Sequence, residues 1–432
     1  MGKTSKGFSR PFHYAWIVLA VVFLASLTGS GIRSASGVLI NPLEKEFGWS
    51  RLGISSAIGV NLLLYGVGAP LSGWLIDRIG SRRVMLGSLF FMAAGVAGTL
   101  FMKSLGELTL SWGVIVGLAG SGIASVLAAA VANRWFVAHR GLALGILSSA
   151  TPTGQLLFLP VLIAVISAAG WRAGSIMMVG AALTVLLFVA FWMRDDPRDI
   201  GLQPYGTNDR GKAPASASQK EPPVQQTGVE GGAKTGLPLR AVLRHPTFWF
   251  LSGGFFICGA TSLGLIGTHL IPHSIDHGIP AVTAGLTIGV MGAMNFVGSL
   301  VSGWLTDRID PRRILFFVFL LRGLSLFLLP FVRDFLGLFV FGVIYGLDWA
   351  ATGPPVVTLT ADTFGKRSVG SVYGLIFLAH QIGSSLAATG GGAIRTWLGD
   401  YQFAFLLGGV LALIGAVLGL WTPRKKAVSL SA

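Results

Sequence analysis

Twelve runs of about 20 apolar residues dominate this chain, each near the length that crosses the hydrocarbon core of a bilayer. They fall at roughly 14–38, 54–76, 83–102, 108–132, 141–169, 172–193, 246–271, 282–304, 313–333, 335–361, 369–394 and 401–422. In lipid the backbone must satisfy its own polar groups, and a helix does so within one segment. The expectation is therefore an all-α membrane protein. Only 11% of the residues are charged, against about 25% in soluble domains, so the chain lacks the polar surface to stay in water. Residues 194–245 break the pattern. They are rich in Pro, Gly, Ser, Gln and charge, which reads as a linker that buries no core. It separates six spans (14–193) from six more (246–422).

The formal charge is +15, yet no continuous basic face exists to suit nucleic acid. Instead, 24 of the 32 Lys and Arg residues lie near the termini, in the linker and in alternate connections between spans. Cytoplasmic loops carry this excess, so both termini are expected in the cytoplasm of a multi-pass protein, as in a bacterial inner membrane. The basic opening MGKTSKGFSRPFHY leads into a retained first helix rather than a cleaved signal. The single cysteine, Cys258, excludes an intrachain disulfide and any cysteine-based metal site. No G-x-x-x-x-G-K-[ST] loop or nucleophile–base motif is present, so neither a nucleotide nor another cofactor is expected, and the chain does not read as an enzyme.

Residues 72–83 read SGWLIDRIGSRR and residues 302–313 read SGWLTDRIDPRR. Each phrase follows the second span of its half. The halves are thus parallel repeats about an axis along the membrane normal, an arrangement known in transporters with a midplane site between halves. The phrase resembles the loop 2–3 signature of the major facilitator superfamily, G-x-x-x-D-R-x-G-R-R/K. The second copy has Asp310 where Gly80 stands. The resemblance covers nearly the whole chain and implies twelve transmembrane helices in two pseudo-symmetric halves and secondary active transport by alternating access; a monomer is expected, since the two halves already supply each other's interface.

Two further stretches, HYAWIVL…GIRSASGVLINPLEKEFGWSR (13–51) and NRWFVAHRGLALGILSSATPTG (133–154), resemble the monocarboxylate porter and oxalate–formate antiporter families. Those families move small organic anions, and a cation late in span 1 helps bind the anion; Arg33 matches it. They also place a cation in span 8 or 11. Here span 8 has none and span 11 has His380. Drug–proton antiporters of the superfamily carry an Arg in span 4, where this chain reads GLAGSGIASVLAAAVA.

An ionisable residue at membrane depth is costly and is by default a functional hypothesis. Arg33 lies about 28 Å from the start of its span at 1.5 Å per residue, in the outer part of the bilayer. There it binds a carboxylate or snorkels to headgroups. Arg322 and Asp348, halfway across spans 9 and 10, are expected to form an ion pair, which is either structural or lets Asp348 exchange a proton. Tyr345, Asp348, Trp349 and Thr352 share a helical face, and Pro354 with Pro355 should break span 10. Histidine is the side chain type that titrates near neutral pH, so His380 either binds the anion, carries the coupling proton, or is a neutral structural group. With Gln381, it joins Asn61, Tyr65, Gln155, Asn295 and Tyr373 as candidate cavity residues; each of these also serves as interhelical glue. His269, His273 and His277 suit a surface turn, and no metal is expected.

In the repeated phrase, Asp77 and Asp307 are expected to reach the positive N-terminal ends of spans in the opposite half. Asp77 would meet span 11 near Ser368 and Gly370, and Asp307 would meet span 5 near Gly141, when the cytoplasmic side is closed. Arg78, Arg82, Arg308 and Arg312 would hold the loops and headgroups. The expected partners are a small-molecule anion, protons and the lipid bilayer. The alternative is a permease or exporter of an uncharged or zwitterionic metabolite or drug.

Overall fold

The computed structural model describes residues 13–123, 125–207, 239–365 and 368–423. Most of the linker (208–238) and the basic residues Lys3, Lys6, Arg10, Lys366, Arg367, Arg424, Lys425 and Lys426 lie outside them.

The described residues are helical and hold no β-strand beyond one isolated bridge between Phe136 and Tyr205. In order they form α1 (Tyr14–Ser34), α2 (Ser36–Phe47), α3 (Arg51–Ile79), α4 (Ser81–Thr99), α5 (Leu105–Ser121), α6 (Ser125–Trp135) and α7 (Arg140–Trp192). After the linker come α8 (Pro246–Asp276), α9 (Ala281–Thr306), α10 (Pro311–Leu328), α11 (Phe335–Asp348), α12 (Gly353–Phe364), α13 (Val369–Leu398) and α14 (Gln402–Trp421).

Among the described residues, nine helical segments are long and apolar enough to cross a membrane. The difference from twelve has local causes. The runs 141–169 and 172–193 form one helical segment, α7, with a sharp break at Gly170 (φ 83°, ψ 167°). Only glycine adopts that conformation at little cost. The run 108–132 is divided between α5 and α6, and α4 has just 19 residues and starts with Ser81-Arg82-Arg83.

Span 10 is interrupted between α11 and α12, where Pro354 and Pro355 stand in the first turn of α12. Their missing N–H groups fall where a helix leaves donors unused. Large apolar side chains such as Phe90, Phe91, Leu187, Leu300, Phe317, Leu328 and Leu386 point outward, which suits lipid and not water.

Two long helix pairs join the segments before and after the linker, α3 with α13 and α7 with α9. Glycine allows the close approach. A Cβ on Gly392 would stand 2.6 Å from Ser55 Cβ, and one on Gly66 would stand 2.5 Å from Gln381 Cβ. In the second pair, Gly289 faces Leu156 and Gly292 lies against the Pro152 carbonyl. These tight contacts lie toward one end of each pair, while nearer the other end a Cβ at Gly370, Gly374, Gly145 or Gly303 would meet nothing within 4 Å.

Candidate functional site

Helix extends to Phe47, well past the expected end of the first span, so Arg33 is the twentieth of 34 residues in that span. It sits near the middle of that helical segment. Tyr65, fifteenth of the 29 residues of α3, lies under it: the guanidinium carbon is 4.0 Å from the Tyr65 ring centroid. Gly120 makes room, since a Cβ there would stand 3.0 Å from Arg33 Cδ. Among the described residues the Arg33 guanidinium makes no hydrogen bond or ion pair, and the side chain is half-buried. It is therefore a cation midway along an apolar helical segment, with an aromatic face beneath it and its planar fork of donors unused.

From Tyr65 a series of rings continues onto α13 and α8. Tyr65 meets Phe377 edge-on at 6.3 Å. Phe377 stacks on His380 at 5.6 Å with 9° between planes. His380 lies 5.0 Å from Phe255, which lies 5.7 Å from Tyr373. His380 Nδ1 and both carboxamide atoms of Gln381 are buried with no hydrogen-bond partner among the described residues. The structure thus brings Arg33, Tyr65, Tyr373 and His380 into one ring-lined series, with Gln381 packed beside it against Gly66.

Other candidates are engaged elsewhere. Asn61 donates from Nδ2 to the Trp112 carbonyl at 2.6 Å and is buried. Tyr345 is fully buried, and its hydroxyl donates to the Thr261 carbonyl at 2.8 Å. Thr261 lies in the π-helical stretch Ala260–Ile266 of α8, where the wider turn leaves carbonyls free of the usual i−4 pairing. Expected as substrate contacts, Asn61 and Tyr345 are sealed in helix packing. Asn295 accepts from Ser299 Oγ at 3.3 Å, Gln155 is half-buried, and Trp349 sits edge-on to Tyr345.

Arg322 and Asp348 form a fully buried ion pair at 2.7 Å. Arg322 also donates to the Asp348 carbonyl at 2.8 Å, the Trp349 carbonyl at 3.2 Å and Cys258 Sγ at 3.1 Å. At the interruption of span 10 the Asp348 carbonyl accepts from Ala351 N–H at 3.2 Å as well as from Arg322, so the buried arginine adds donors where the helix breaks. Asp348 Oδ2 is buried without a partner among the described residues.

At the tight end of the molecule stands a second charged cluster, absent from the expectations. Arg51 donates to both Asp276 oxygens at 2.6 and 2.7 Å, to Glu44 at 2.8 Å and to the Tyr401 hydroxyl at 3.1 Å. Arg395 donates to Asp276 at 2.9 Å. Close by, α2 crosses α8, where a Cβ on Gly37 would lie 2.7 Å from the Thr268 carbonyl. The cluster ties α2 and α3 to α8, α13 and the start of α14. His269 and His273 are buried behind it rather than placed on a surface turn: His269 Nε2 lies 2.8 Å from the Ala388 carbonyl, and His273 packs on Phe405. One signal was available in the sequence: Glu44, Arg51, Asp276 and Arg395 are charges on the side that the Lys/Arg bias leaves poor in them.

At the other end Asp77 and Asp307 are exposed, and among the described residues neither makes a hydrogen bond or ion pair. A Cβ at Gly370, where Asp77 is expected to reach, would meet nothing within 4 Å. Arginines of both phrases bond close by. Arg82 donates through its backbone N–H to Asp195 at 2.7 Å and through Nη2 to the Ala190 carbonyl at 2.6 Å. Arg312 pairs with Asp310 and reaches the Thr422 carbonyl at 3.5 Å. Gly80 (φ 88°) leaves space for Asp195, whose carboxylate would be 2.6 Å from a Cβ there. In the second copy Asp310 supplies the carboxylate itself, which explains the substitution. Arg78 and Arg308 stack on Trp74 and Trp304 at 4.4 and 3.9 Å.

The family model described as Major Facilitator Superfamily matches residues 19–388 and 276–431. The chain is 26% identical over 385 residues to the "Uncharacterized MFS-type transporter YcxA" of Bacillus subtilis (strain 168), covering 87% of each. It is 23% identical over 429 residues to "Monocarboxylate transporter 12-B" of Danio rerio (95% of this chain, 87% of the relative). With "Monocarboxylate transporter 11" of Homo sapiens it shares 25% over 422 residues (95% and 83%). Among solved structures, a bacterial homolog of the human lysosomal transporter Spinster, inward-facing and unoccupied, superposes with a TM-score of 0.75 at 17% identity, covering 96% of this chain and 98% of that one.

Proposed function

Since this chain belongs to the major facilitator superfamily and is a multi-pass membrane transporter, we propose that it moves a small organic monoanion, coupled to protons, by alternating access. The observation that carries this reading is the unpaired Arg33 guanidinium midway along its helical segment. A cation within a membrane span without a counter-ion is costly, and a bidentate carboxylate removes the cost. Arg322 is already neutralised by Asp348, which favours one negative charge on the cargo over two. The relatives named as monocarboxylate transporters support the same class.

In this reading twelve spans form two six-helix halves, 14–193 and 246–422, acting as a monomer with cytoplasmic termini in a bacterial inner membrane. The halves rock about the site. The Arg51–Asp276–Arg395 cluster is the closed outer gate, and the end that carries Asp77 and Asp307 is open to the cytoplasm. Asp77 and Asp307 latch that end in the opposite state. Asp348 and His380, each with an unpartnered buried atom, carry the coupling proton; Gln155, Asn295, Trp349 and Tyr373 shape the cavity.

The test is uptake of lactate, pyruvate, oxalate and formate into proteoliposomes under a proton gradient. Arg33→Ala abolishes uptake of the transported anion, and His380→Ala uncouples it from the gradient. Unchanged uptake in both variants would remove the anion-site assignment.

A further inference from the structure

Arg33 spends one face on Tyr65, 4.0 Å below, which leaves the in-plane N–H fork for a carboxylate. The substituent on that carboxylate then projects into whatever surrounds the fork. Here the surroundings are rings. Tyr65, Phe377, His380, Phe255 and Tyr373 follow one another at centroid separations of 6.3, 5.6, 5.0 and 5.7 Å. These lie within the range of about 4.5–7 Å in which aromatic rings pair edge-on or offset. Phe377 and Tyr373 stand four residues apart on α13 and keep part of their surface open.

On the proposed-function reading that Arg33 holds a monocarboxylate, we infer that the cargo is an arylcarboxylate whose ring joins this series, with Phe377 as the residue that selects for it. Two features support an aryl group over a short aliphatic one. The Arg33 guanidinium already rests on a ring, Tyr65, and the series continues from it through Phe377 on α13. A flat ring on the cargo adds both apolar burial and ring pairing there.

The experiment is calorimetric titration of the purified full chain in lipid nanodiscs with benzoate, phenylacetate, acetate, lactate and benzyl alcohol. Aryl acids bind at least about tenfold more tightly than acetate or lactate, a difference within reach of one well-paired ring. Phe377→Leu weakens the aryl acids by about tenfold and acetate by less than about twofold. Phe377→Tyr keeps the ring and keeps the affinity, which separates loss of ring pairing from loss of folding. Equal binding of aryl and short-chain acids, or equal weakening of both by Phe377→Leu, overturns the aryl inference and leaves the monocarboxylate reading standing. If no carboxylate binds, or benzyl alcohol binds as tightly as benzoate, the monocarboxylate reading itself falls and the inference falls with it.

Discussion

The Arg51 cluster gives the most quantitative prediction. Asp276→Asn preserves shape and removes the charge that receives two bonds from Arg51 and one from Arg395. Removing a partner from a buried pair costs about 3–5 kcal/mol, whereas exposed pairs contribute about 0–1 kcal/mol. The side chains here are graded, with Arg51 4% exposed, Asp276 18% and Glu44 35%. Arg51 also keeps Glu44 and Tyr401 after the change. An intermediate loss of about 2 kcal/mol follows, which is about thirtyfold in an equilibrium constant. The loss falls on the conformer in which the cluster is made. If the opposite conformer starts at roughly 1% of the molecules, it rises to roughly a quarter. Spin labels at exposed Lys103 and Arg333, on segments before and after the linker, report this as a new, longer distance population in pulsed electron-spin measurements. An unchanged distance distribution in Asp276→Asn, at full stability of the variant, would refute the gate.

Two further outcomes follow from packing. Arg322→Ala leaves Asp348 buried and uncompensated and should cost about 3–5 kcal/mol, seen as a lowered midpoint of thermal unfolding in detergent; the double change Arg322→Met with Asp348→Leu should recover most of it. Gly80→Ala forces a side chain into a conformation costing about 1–3 kcal/mol and against Asp195, so it should lower the same midpoint clearly more than Ser81→Ala does.

The architecture was legible because lipid imposes a crude rule. Apolar length, Lys/Arg position and the repeated phrase depend on the solvent around the helix, not on contacts within it. Helix ends were less legible. The first span continues to Phe47 through Pro42, Glu44 and Lys45, residues that read as loop, and this puts Arg33 midway along its helical segment rather than near its end. Polar residues at membrane depth could be listed from the sequence, but not sorted. Whether Tyr345 faces a cavity or the Thr261 carbonyl depends on a π-helical turn in another helix. The Arg51 cluster joins residues 225 positions apart in the chain, and nothing local to either residue signals the other.

The repeated phrase is fastened differently in its two copies. In the first, the carboxylate comes from Asp195, just beyond the end of α7; in the second it lies inside the phrase, at Asp310. The stretches before and after the linker thus each carry a buckle made within their own chain. Severing the polypeptide between 207 and 239 leaves both buckles intact, while a cut before Asp195 strips one of its tongue. Tyr205, bridged to Phe136, still belongs to the first stretch, so the spacer begins, in mechanical terms, only after it, and a split version of the protein meant to reassemble from two polypeptides has its natural joint beyond Tyr205.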